Sequence, residues 1–210
     1  MLRWTVDPEH PDERTLAQAA DLVRRGGVVV FPTDTLYGLA ANPFDARAVE
    51  RVFEAKQRPG REPLPIIVAA LADADRLAVL TPIARRLAGV FWPGPVTLVL
   101  EDAGLVAAAV RGGARGIALR VPASAVARGL AARAGGAITS TSANRSGQPA
   151  PASAAEAERE LGDRVDGILD GGPAPGGAPS TIVDARGEAP VLVRAGAVAY
   201  ERILDAMERG

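Results

Sequence analysis

Basic side chains are the first candidates for chemistry in this sequence. Cysteine is absent and His10 is the only histidine, which excludes thiol catalysis, cysteine-ligated metal sites and histidine-based triads. Lys56 is the only lysine among 24 basic residues, and Arg58 follows it after one residue. A lysine ammonium is a compact cation that can donate to phosphate oxygens. Lys56 is therefore a candidate phosphate-binding residue, and a lysine that extends past its helix into solvent is the alternative. Favourable placement of positive charge at the end of a helix explains Arg58 adequately.

Hydroxyl groups form the second set of candidates. Residues 139–142 are four successive threonines and serines, and Asn144 follows them after one residue. Such side chains donate and accept hydrogen bonds without charge, which suits phosphate, carboxylate or ribose recognition. A hydroxyl-rich turn or helix cap is the alternative. Residues 32–39, Pro-Thr-Asp-Thr-Leu-Tyr-Gly-Leu, follow an apolar run and are either a strand-end turn or a binding loop.

The spacing of apolar residues predicts the helices and strands that would position these groups. Helices are predicted at residues 15–25, after Asp45, after Thr81, and at residues 124–133, 153–161 and 199–209. Strands are predicted at residues 28–31, 65–69, 97–100, 117–121, 137–139, 181–183 and 191–193. This alternation indicates a single α/β domain with one twisted, mostly mixed/parallel sheet flanked by helices. The glycine-rich residues 171–179 are too short for an interdomain linker.

Local signals refine three of the helices. Thr15 with Gln18 and Ser153 with Glu156 have the spacing of capping boxes, and Asp45 is a predicted N-cap. The helix after Asp45 has an inward stripe whose spacing reaches Lys56. The helix that begins at Thr81-Pro82 is predicted to bury three apolar side chains, those of Ile83, Leu87 and Val90.

Composition limits the classes of protein and partner. The formal net charge is −1 and like charges form no block, so nucleic-acid contact would need a local basic concavity. No apolar run approaches the ~18 to 20 residues of a membrane-spanning helix. Residues 1–13 lack the basic start and apolar stretch of a signal peptide. A soluble cytoplasmic protein without a membrane partner is the expectation.

Seven motifs, taken in order, resemble the YrdC family of threonylcarbamoyl-AMP synthases. They are Pro32-Thr-Asp-Thr-Leu-Tyr-Gly-Leu, Lys56-x-Arg58-Pro, Trp92-Pro-Gly-Pro-x-Thr97, Arg120-x-Pro122, Thr141-Ser-Ala-Asn144-x-Ser-Gly147, Gly171-Gly…Ser180-Thr-x-Val-Asp184 and Arg194-x-Gly196. The resemblance is to the short form of the family. It implies an N-terminal extension at residues 1–14 and a YrdC-like catalytic domain at residues 15–200, closed by the helix at 199–209.

The resemblance also implies a reaction. Threonine and bicarbonate would form N-carbamoyl-threonine, whose oxygen attacks the α-phosphorus of ATP to give threonylcarbamoyl-AMP and pyrophosphate. A threonylcarbamoyl transferase complex would then modify adenosine 37 of tRNA. Such nucleotidyl transfer needs positioning and neutralisation of phosphate charge more than a covalent nucleophile, which fits a chain without cysteine.

Site residues follow from the matched positions. ATP contacts are implied for Lys56, Arg58, Ser142, Asn144 and Arg194, with the backbone at Gly116 and Ala150 beside it. Threonine contacts are implied for Thr35, Arg120, Ser140 and Ser180, where Arg120 would pair with the carboxylate. Magnesium would arrive with ATP, bound mainly by phosphates and water, with Asp34 and Asp184 as candidate outer ligands.

One segment departs from the family pattern. Many members have Asn-Pro-Leu-Ile-Val-His after the Lys-x-Arg motif, whereas this chain continues Glu62-Pro-Leu-Pro-Ile-Ile-Val68-Ala69 and has no histidine there. Two alternatives therefore stay open beside the synthase. One is a paralogue that adenylates a different acid, and the other is an RNA-binding or ribosome-assembly module that contacts tRNA or double-stranded RNA.

Overall fold

Two mixed β-sheets with helices packed against them build the protein, in a computed structural model that describes residues 1–58 and 62–208. Their elements, in chain order, are β1 (Leu2–Thr5), α1 (Glu13–Arg24), β2 (Val29–Pro32), β3 (Tyr37–Ala40), α2 (Ala46–Lys56), β4 (Ile66–Val68), α3 (Leu71–Leu77), β5 (Ala78–Val79), α4 (Pro82–Phe91), β6 (Val96–Asp102), α5 (Ala108–Arg111), β7 (Gly116–Arg120), α6 (Ala125–Arg133), β8 (Ala137–Thr139), β9 (Thr141–Ser142), α7 (Ala154–Leu161), a 3₁₀ turn (Gly162–Arg164), β10 (Gly167–Asp170), β11 (Thr181–Asp184), β12 (Val191–Arg194) and α8 (Tyr200–Glu208).

The strands divide between the two sheets. The first sheet has the order β1-β10-β2-β3-β9, and the second has the order β12-β11-β6-β7-β4-β8 with β5 beside β6. Both sheets mix parallel and antiparallel pairs, which confirms the predicted mixed α/β class. The sequence suggested one sheet, but the chain changes sheets between β3 and β4, at Ser140 between β8 and β9, and again between β10 and β11.

Thr139, the last residue of β8, joins the two sheets at the crossing between β8 and β9. Its fully buried Oγ1 accepts a hydrogen bond from the Ala41 N–H at 2.8 Å and donates one to the Leu39 carbonyl at 3.1 Å. Its own N–H donates to the Ala41 carbonyl at 3.0 Å. Strand β8 of the second sheet is thus hydrogen-bonded to the end of β3 in the first sheet. A cleft lies beside this junction.

Helix α1 shows which local predictions were right and which were wrong. Its buried face holds the apolar residues expected from the 3.6-residue period, and it packs on α6 and the first sheet. The predicted capping box at Thr15 is wrong, because Asp12 is the N-cap and accepts from the Thr15 N–H at 2.8 Å. Gln18 instead accepts from the Trp4 indole at 3.0 Å. Asp45 and Ser153 are N-caps as predicted, but the Glu156 carboxylate accepts from the Ala152 N–H and not from that of Ser153, so the predicted capping box is only half formed.

Helix α4 begins after the predicted Thr81 cap, but its inner face differs from the prediction by one position. Ala84, Leu87 and Ala88 are buried at the spacing i, i+3, i+4, and Phe91 continues that stripe. Val90 lies outside the stripe and is 59% exposed, so its predicted burial is wrong.

The chain ends contribute elements that the sequence did not resolve. Residues 1–14 were expected to be an extension, and they include β1, which pairs in parallel with β10 at the edge of the first sheet. Helix α8 covers most of the predicted 199–209 segment, whose last residue lies outside the described residues. Within residues 1–58 and 62–208, no helix combines the length and the apolar character that a membrane crossing requires.

Replacing Thr139 with valine is expected to destabilise the protein by about 1 to 3 kcal/mol, because the buried Ala41 N–H would lose its side-chain acceptor. Urea unfolding followed by circular dichroism measures this cost. Thr5→Val, on the exposed edge strand β1, is the control and should change stability by less than ~0.5 kcal/mol. Equal effects of the two substitutions would contradict a special role for Thr139.

Candidate active site

A cleft of about 760 Å³ lies between the two sheets. It brings together ten of the eleven side chains or backbone positions predicted to contact substrates, namely Lys56, Arg58, Ser142, Asn144, Ala150, Arg194, Thr35, Arg120, Ser140 and Ser180. Residues to which no substrate contact was assigned also line it, including Thr33, Thr97, Ser146, Ile66 and Ile67. Segments far apart in the chain therefore meet at one concave surface.

Lys56 is the last residue of α2 and faces inward, as the helical spacing predicted. Its side chain is buried, which rules out the alternative of an ammonium extended into solvent. The Nζ donates to the carbonyls of Ser142 and Asn144, the latter at 2.8 Å, while the Lys56 carbonyl accepts from the Ser146 N–H. Burial, reinforced by the charge of Arg58, lowers the pKa of Lys56 to about 8. Lys56 thus holds the backbone that carries Ser142 and Asn144.

Arg58 lies beside Lys56 at the wall of the cleft. Its side chain is 16% exposed and pairs with the more exposed carboxylate of Glu62. Burial lowers the pKa of Arg58 from its ordinary value. The rest of the basic segment predicted here, residues 59–61, lies outside the described residues.

Asn144 presents an acceptor that has no partner among residues 1–58 and 62–208. Its Nδ2 donates to the carbonyls of Arg145 and Gln148, at 2.9 and 2.6 Å. The Oδ1 is buried and makes no hydrogen bond within the part of the chain that is described. An unsatisfied buried acceptor is costly, so a ligand that donates a hydrogen bond here would offset that cost.

Arg120 lies at the end of β7, on the floor of the cleft. Its Nη2 donates to Asp34 Oδ1 at 2.6 Å and its Nε donates to the Gly94 carbonyl at 2.8 Å. The other Asp34 oxygen accepts from the Ala123 N–H at 3.1 Å. Burial lowers the pKa of Arg120, although the neighbouring Asp34 carboxylate acts in the opposite direction.

Arg194 comes from β12 and forms the second guanidinium of this end of the cleft. Its Nη2 donates to the Ser180 carbonyl at 2.8 Å and lies 3.3 Å from the Ser180 hydroxyl. That hydroxyl is also 2.9 Å from the buried Thr97 hydroxyl. Burial and the charge of Arg120 lower the pKa of Arg194. Thr97 was overlooked as a site residue, although the Trp92-Pro-Gly-Pro-x-Thr97 motif contained it.

Residues 32–39 combine a strand-end turn, formed by Thr33, with a loop that faces the cleft through Thr35. The Thr33 hydroxyl accepts from the Leu36 N–H at 3.2 Å and donates to its carbonyl at 2.7 Å, as a strand-end turn requires. Thr35 lines the cleft, and its hydroxyl is 3.0 Å from that of Thr33. The Thr35 carbonyl also accepts from the Gly176 N–H at 2.9 Å, which fixes the glycine-rich loop beside it.

Gly116 and Asp184 do not line the cleft, so the structure does not support the contacts predicted for them. Gly116 is at the opposite end of β7 from Arg120, about 13 Å away at the rise of an extended strand. Asp184 pairs with Arg186 beside a second cavity of about 390 Å³. Both residues are on strands that contribute to the cleft, but they lie at the strand ends that reach other surfaces of the protein.

Carboxylates suited to a metal ion are scarce in the cleft. Asp34, a candidate outer magnesium ligand, uses one oxygen for Arg120 and the other for the Ala123 N–H. Asp184, the other candidate, lies at the second cavity. No group of three or more acidic or histidine side chains that could hold a metal occurs within residues 1–58 and 62–208.

The segment that departs from the family pattern forms an apolar wall. Pro65, Ile66 and Ile67 line the cleft, whereas Val68 and Ala69 do not. Ile67 is in register with Arg120 on the adjacent parallel strand β7. The surface next to the guanidinium is therefore hydrocarbon where a family histidine would have offered a polar ring.

Comparison with known proteins assigns the chain to a family. Residues 21–196 match the Sua5/YciO/YrdC profile, which carries the description "Telomere recombination". The chain belongs to the Sua5/YciO/YrdC family. This assignment confirms the resemblance that the seven motifs indicated.

Two curated relatives are both named threonylcarbamoyl-AMP synthase. The one from Pyrococcus abyssi is 40% identical over 196 residues, which are 93% of this chain and 58% of the relative. The one from Bacillus subtilis is 38% identical over 208 residues, 96% of this chain and 60% of the relative. The chain thus spans about three-fifths of the length of these two relatives.

Solved structures of the Sua5/YciO/YrdC family have the same fold. P. abyssi Sua5, crystallised with L-threonine, matches with a TM-score of 0.93 at 38% identity, over 99% of this chain and 61% of that one. Escherichia coli YciO matches with a TM-score of 0.87 at 29% identity, over 97% of this chain and 100% of that one. The fold of this chain is therefore shared with these two members of the family.

The lowered pKa of Lys56 predicts a specific dependence of stability on pH. The unfolded chain keeps a proton on this lysine up to about pH 10.5, while the folded protein releases it near pH 8. The unfolded state binds more protons in this window, so the stability that Lys56 contributes should rise with pH, by up to ~3 kcal/mol. Urea unfolding of the wild type and Lys56→Met between pH 7 and 10 measures the difference.

The control for this experiment is Arg85→Met, which removes an exposed cation that pairs with Asp75 outside the cleft. It should leave the pH profile of the wild type unchanged. If the Lys56→Met and wild-type profiles are parallel from pH 7 to 10, Lys56 has an ordinary pKa and the prediction is wrong.

Proposed function

We propose that this protein synthesises threonylcarbamoyl-AMP from L-threonine, bicarbonate and ATP with release of pyrophosphate. The observation that carries the proposal is the grouping of four cations in one cleft as two neighbouring pairs, Lys56 with Arg58 and Arg120 with Arg194. The substrates, a nucleoside triphosphate and an amino acid, are both anionic. The names of the relatives, and the threonine bound to P. abyssi Sua5, support the same reaction.

The ATP half of the cleft is assigned to the end that holds Lys56 and Arg58. Ser142, Asn144 and the backbone at Ala150 complete it, and Arg194 approaches from β12. Desolvated cations neutralise phosphate charge more strongly than exposed ones, because the cleft has a lower dielectric constant than water. These groups would hold the triphosphate while charge moves from the α–β phosphate bond to pyrophosphate.

The amino-acid half is assigned to Arg120 with three hydroxyl residues, Thr35, Ser140 and Ser180. Arg120 keeps both Nη1 N–H groups clear of the bonds that it makes with residues 1–58 and 62–208, so they can pair with a substrate carboxylate. The threonine nitrogen would react with bicarbonate to form a carbamate and water. A carbamate oxygen would then attack the α-phosphorus, and the bond to pyrophosphate would break.

Magnesium is proposed to enter with ATP. Phosphate oxygens and water are its preferred ligands in nucleotide sites. The carboxylate of Glu62, which lines the cleft, pairs with Arg58, and that of Asp34, which does not line it, pairs with Arg120. The ion would neutralise phosphate charge beside the basic residues. The product would pass to a threonylcarbamoyl transferase complex acting on adenosine 37 of tRNA, and the cytoplasm is the proposed location of the reaction.

The direct test incubates purified protein with ATP, Mg²⁺, L-threonine and bicarbonate. Pyrophosphate release and an acyl-adenylate detected by mass spectrometry are expected only when both threonine and bicarbonate are present. Lys56→Ala and Arg58→Ala should each lower turnover at least a hundredfold, because each removes a desolvated cation from the phosphate end. Arg85→Ala removes an exposed cation outside the cleft and should keep wild-type turnover.

Two other outcomes of these experiments would indicate a different function, and a third would contradict the assignment of the phosphate end. Product formed only with another amino or carboxylic acid, in a substrate panel, would identify a paralogue with changed specificity. Tight, salt-sensitive binding of tRNA or double-stranded RNA without ATP turnover would favour the RNA-binding alternative. Near-normal turnover by Lys56→Ala would show that the phosphate end has been assigned to the wrong residues.

A further inference from the structure

We propose that Asp34 is a positioning residue that holds Arg120 in the orientation needed to bind the carboxylate of the amino-acid substrate. The inference rests on the proposed function for the identity of that substrate. It gives Asp34 a role different from that of a magnesium ligand. The geometry of the ion pair, and not its charge alone, carries the argument.

Arg120 is fixed along one part of its guanidinium. The side chain is 8% exposed, with its Nε bonded to the Gly94 carbonyl and its Nη2 bonded to Asp34 at 2.6 Å. These two bonds fix the plane of the group, since a guanidinium is rigid and its donors point in set directions. The Nη1 N–H groups, which bond to no acceptor in the described ranges, are left for a carboxylate at the cleft.

Asp34 is itself fixed by a second bond. Its Oδ2 accepts from the Ala123 N–H at 3.1 Å, close to the start of α6, and its side chain is 15% exposed. Asp34 lies on the loop between β2 and β3 of the first sheet, whereas Arg120 ends β7 of the second sheet. One carboxylate therefore connects both sheets and the start of a helix, and it determines where the guanidinium lies between them.

Arg120 needs such a partner because another cation is close. The charge of Arg120 contributes to the lowered pKa of Arg194, whose guanidinium donates a hydrogen bond to the Ser180 carbonyl. Arg120 is buried and Arg194 is exposed, so their repulsion is screened less than it would be between two cations in water. Without the Asp34 carboxylate, Arg120 would lose its strongest partner and turn away from Arg194, which would misplace the donors meant for the substrate.

Asp184 offers a matched control within the same chain. It also pairs with an arginine at 2.6 Å, through Arg186, and it also accepts a backbone N–H, at 3.1 Å. The pair lies beside the second cavity and not in the cleft. A general effect of losing an aspartate–arginine pair would therefore appear in both Asp34→Ala and Asp184→Ala.

The test measures KM for threonine and for ATP in pyrophosphate-release assays. Asp34→Ala is expected to raise the KM for threonine at least tenfold while the KM for ATP changes less than twofold. Asp34→Asn should lie between it and the wild type, since the amide oxygen can accept one bond but carries no charge. Asp184→Ala should match the wild type for both substrates.

A double-mutant cycle separates positioning from general support of the fold. If Asp34 acts through Arg120, adding Asp34→Ala to Arg120→Ala should change the KM for threonine less than twofold further. Losses that multiply in the double variant would overturn the inference. So would an unchanged or lowered KM for threonine in Asp34→Ala, or a parallel rise in the KM for ATP.

An NMR measurement keeps the inference testable without turnover. The Arg120 Nε–H, assigned by its absence from Arg120→Lys, should give a sharp, protected signal at pH 7 in the wild type because its environment is buried and fixed. Asp34→Ala should broaden or shift it, and Asp184→Ala should not. Absence of threonine-dependent product from the wild type would overturn the proposed function alone, while an unchanged Arg120 signal in Asp34→Ala would overturn the positioning role.

Discussion

Positive charge buried in a cleft is the constraint on which the rest of the structure depends. Moving a cation out of water is costly unless nearby acceptors replace its hydration. Lys56 meets this requirement with the carbonyls of Ser142 and Asn144, and Arg120 with Asp34 and the Gly94 carbonyl. The segments that close the cleft are the ones that supply these acceptors. The requirement therefore links β9, the β2–β3 loop and the turn before β6 to the same site.

The acceptors explain how a chain without cysteine can assemble the site that we propose for nucleotidyl transfer. Backbone carbonyls hold Lys56 without cancelling its charge, so the cation remains available to phosphate oxygens. Asp34 does neutralise part of the charge at Arg120, where a second guanidinium, Arg194, is close. Glu62 does the same for Arg58, so each end of the cleft keeps one cation, Lys56 or Arg194, that is held by backbone carbonyls and not by a carboxylate.

Local signals in the sequence predicted much of this structure, and long-range contacts account for what it missed. The inward position of Lys56 followed from helix periodicity, and Asp45 from N-cap chemistry, because both depend on residues within one or two turns. The split into two sheets depends on β9, which has only two residues and no periodicity to detect. The pair of Asp34 with Arg120 joins residues 86 positions apart, and no local pattern encodes it.

The same reasoning explains why the cleft is a costly part of the fold. The pKa of Lys56 falls to about 8 because burial disfavours its charge, and the Asn144 Oδ1 has no partner in the described part of the chain. An anionic ligand would restore the favourable environment of Lys56, and a donor on it would satisfy Asn144. Binding then stabilises the folded protein by mass action. The rule that buried charges and polar atoms have partners is expected to fail at functional sites. Here it fails at residues of the family motifs.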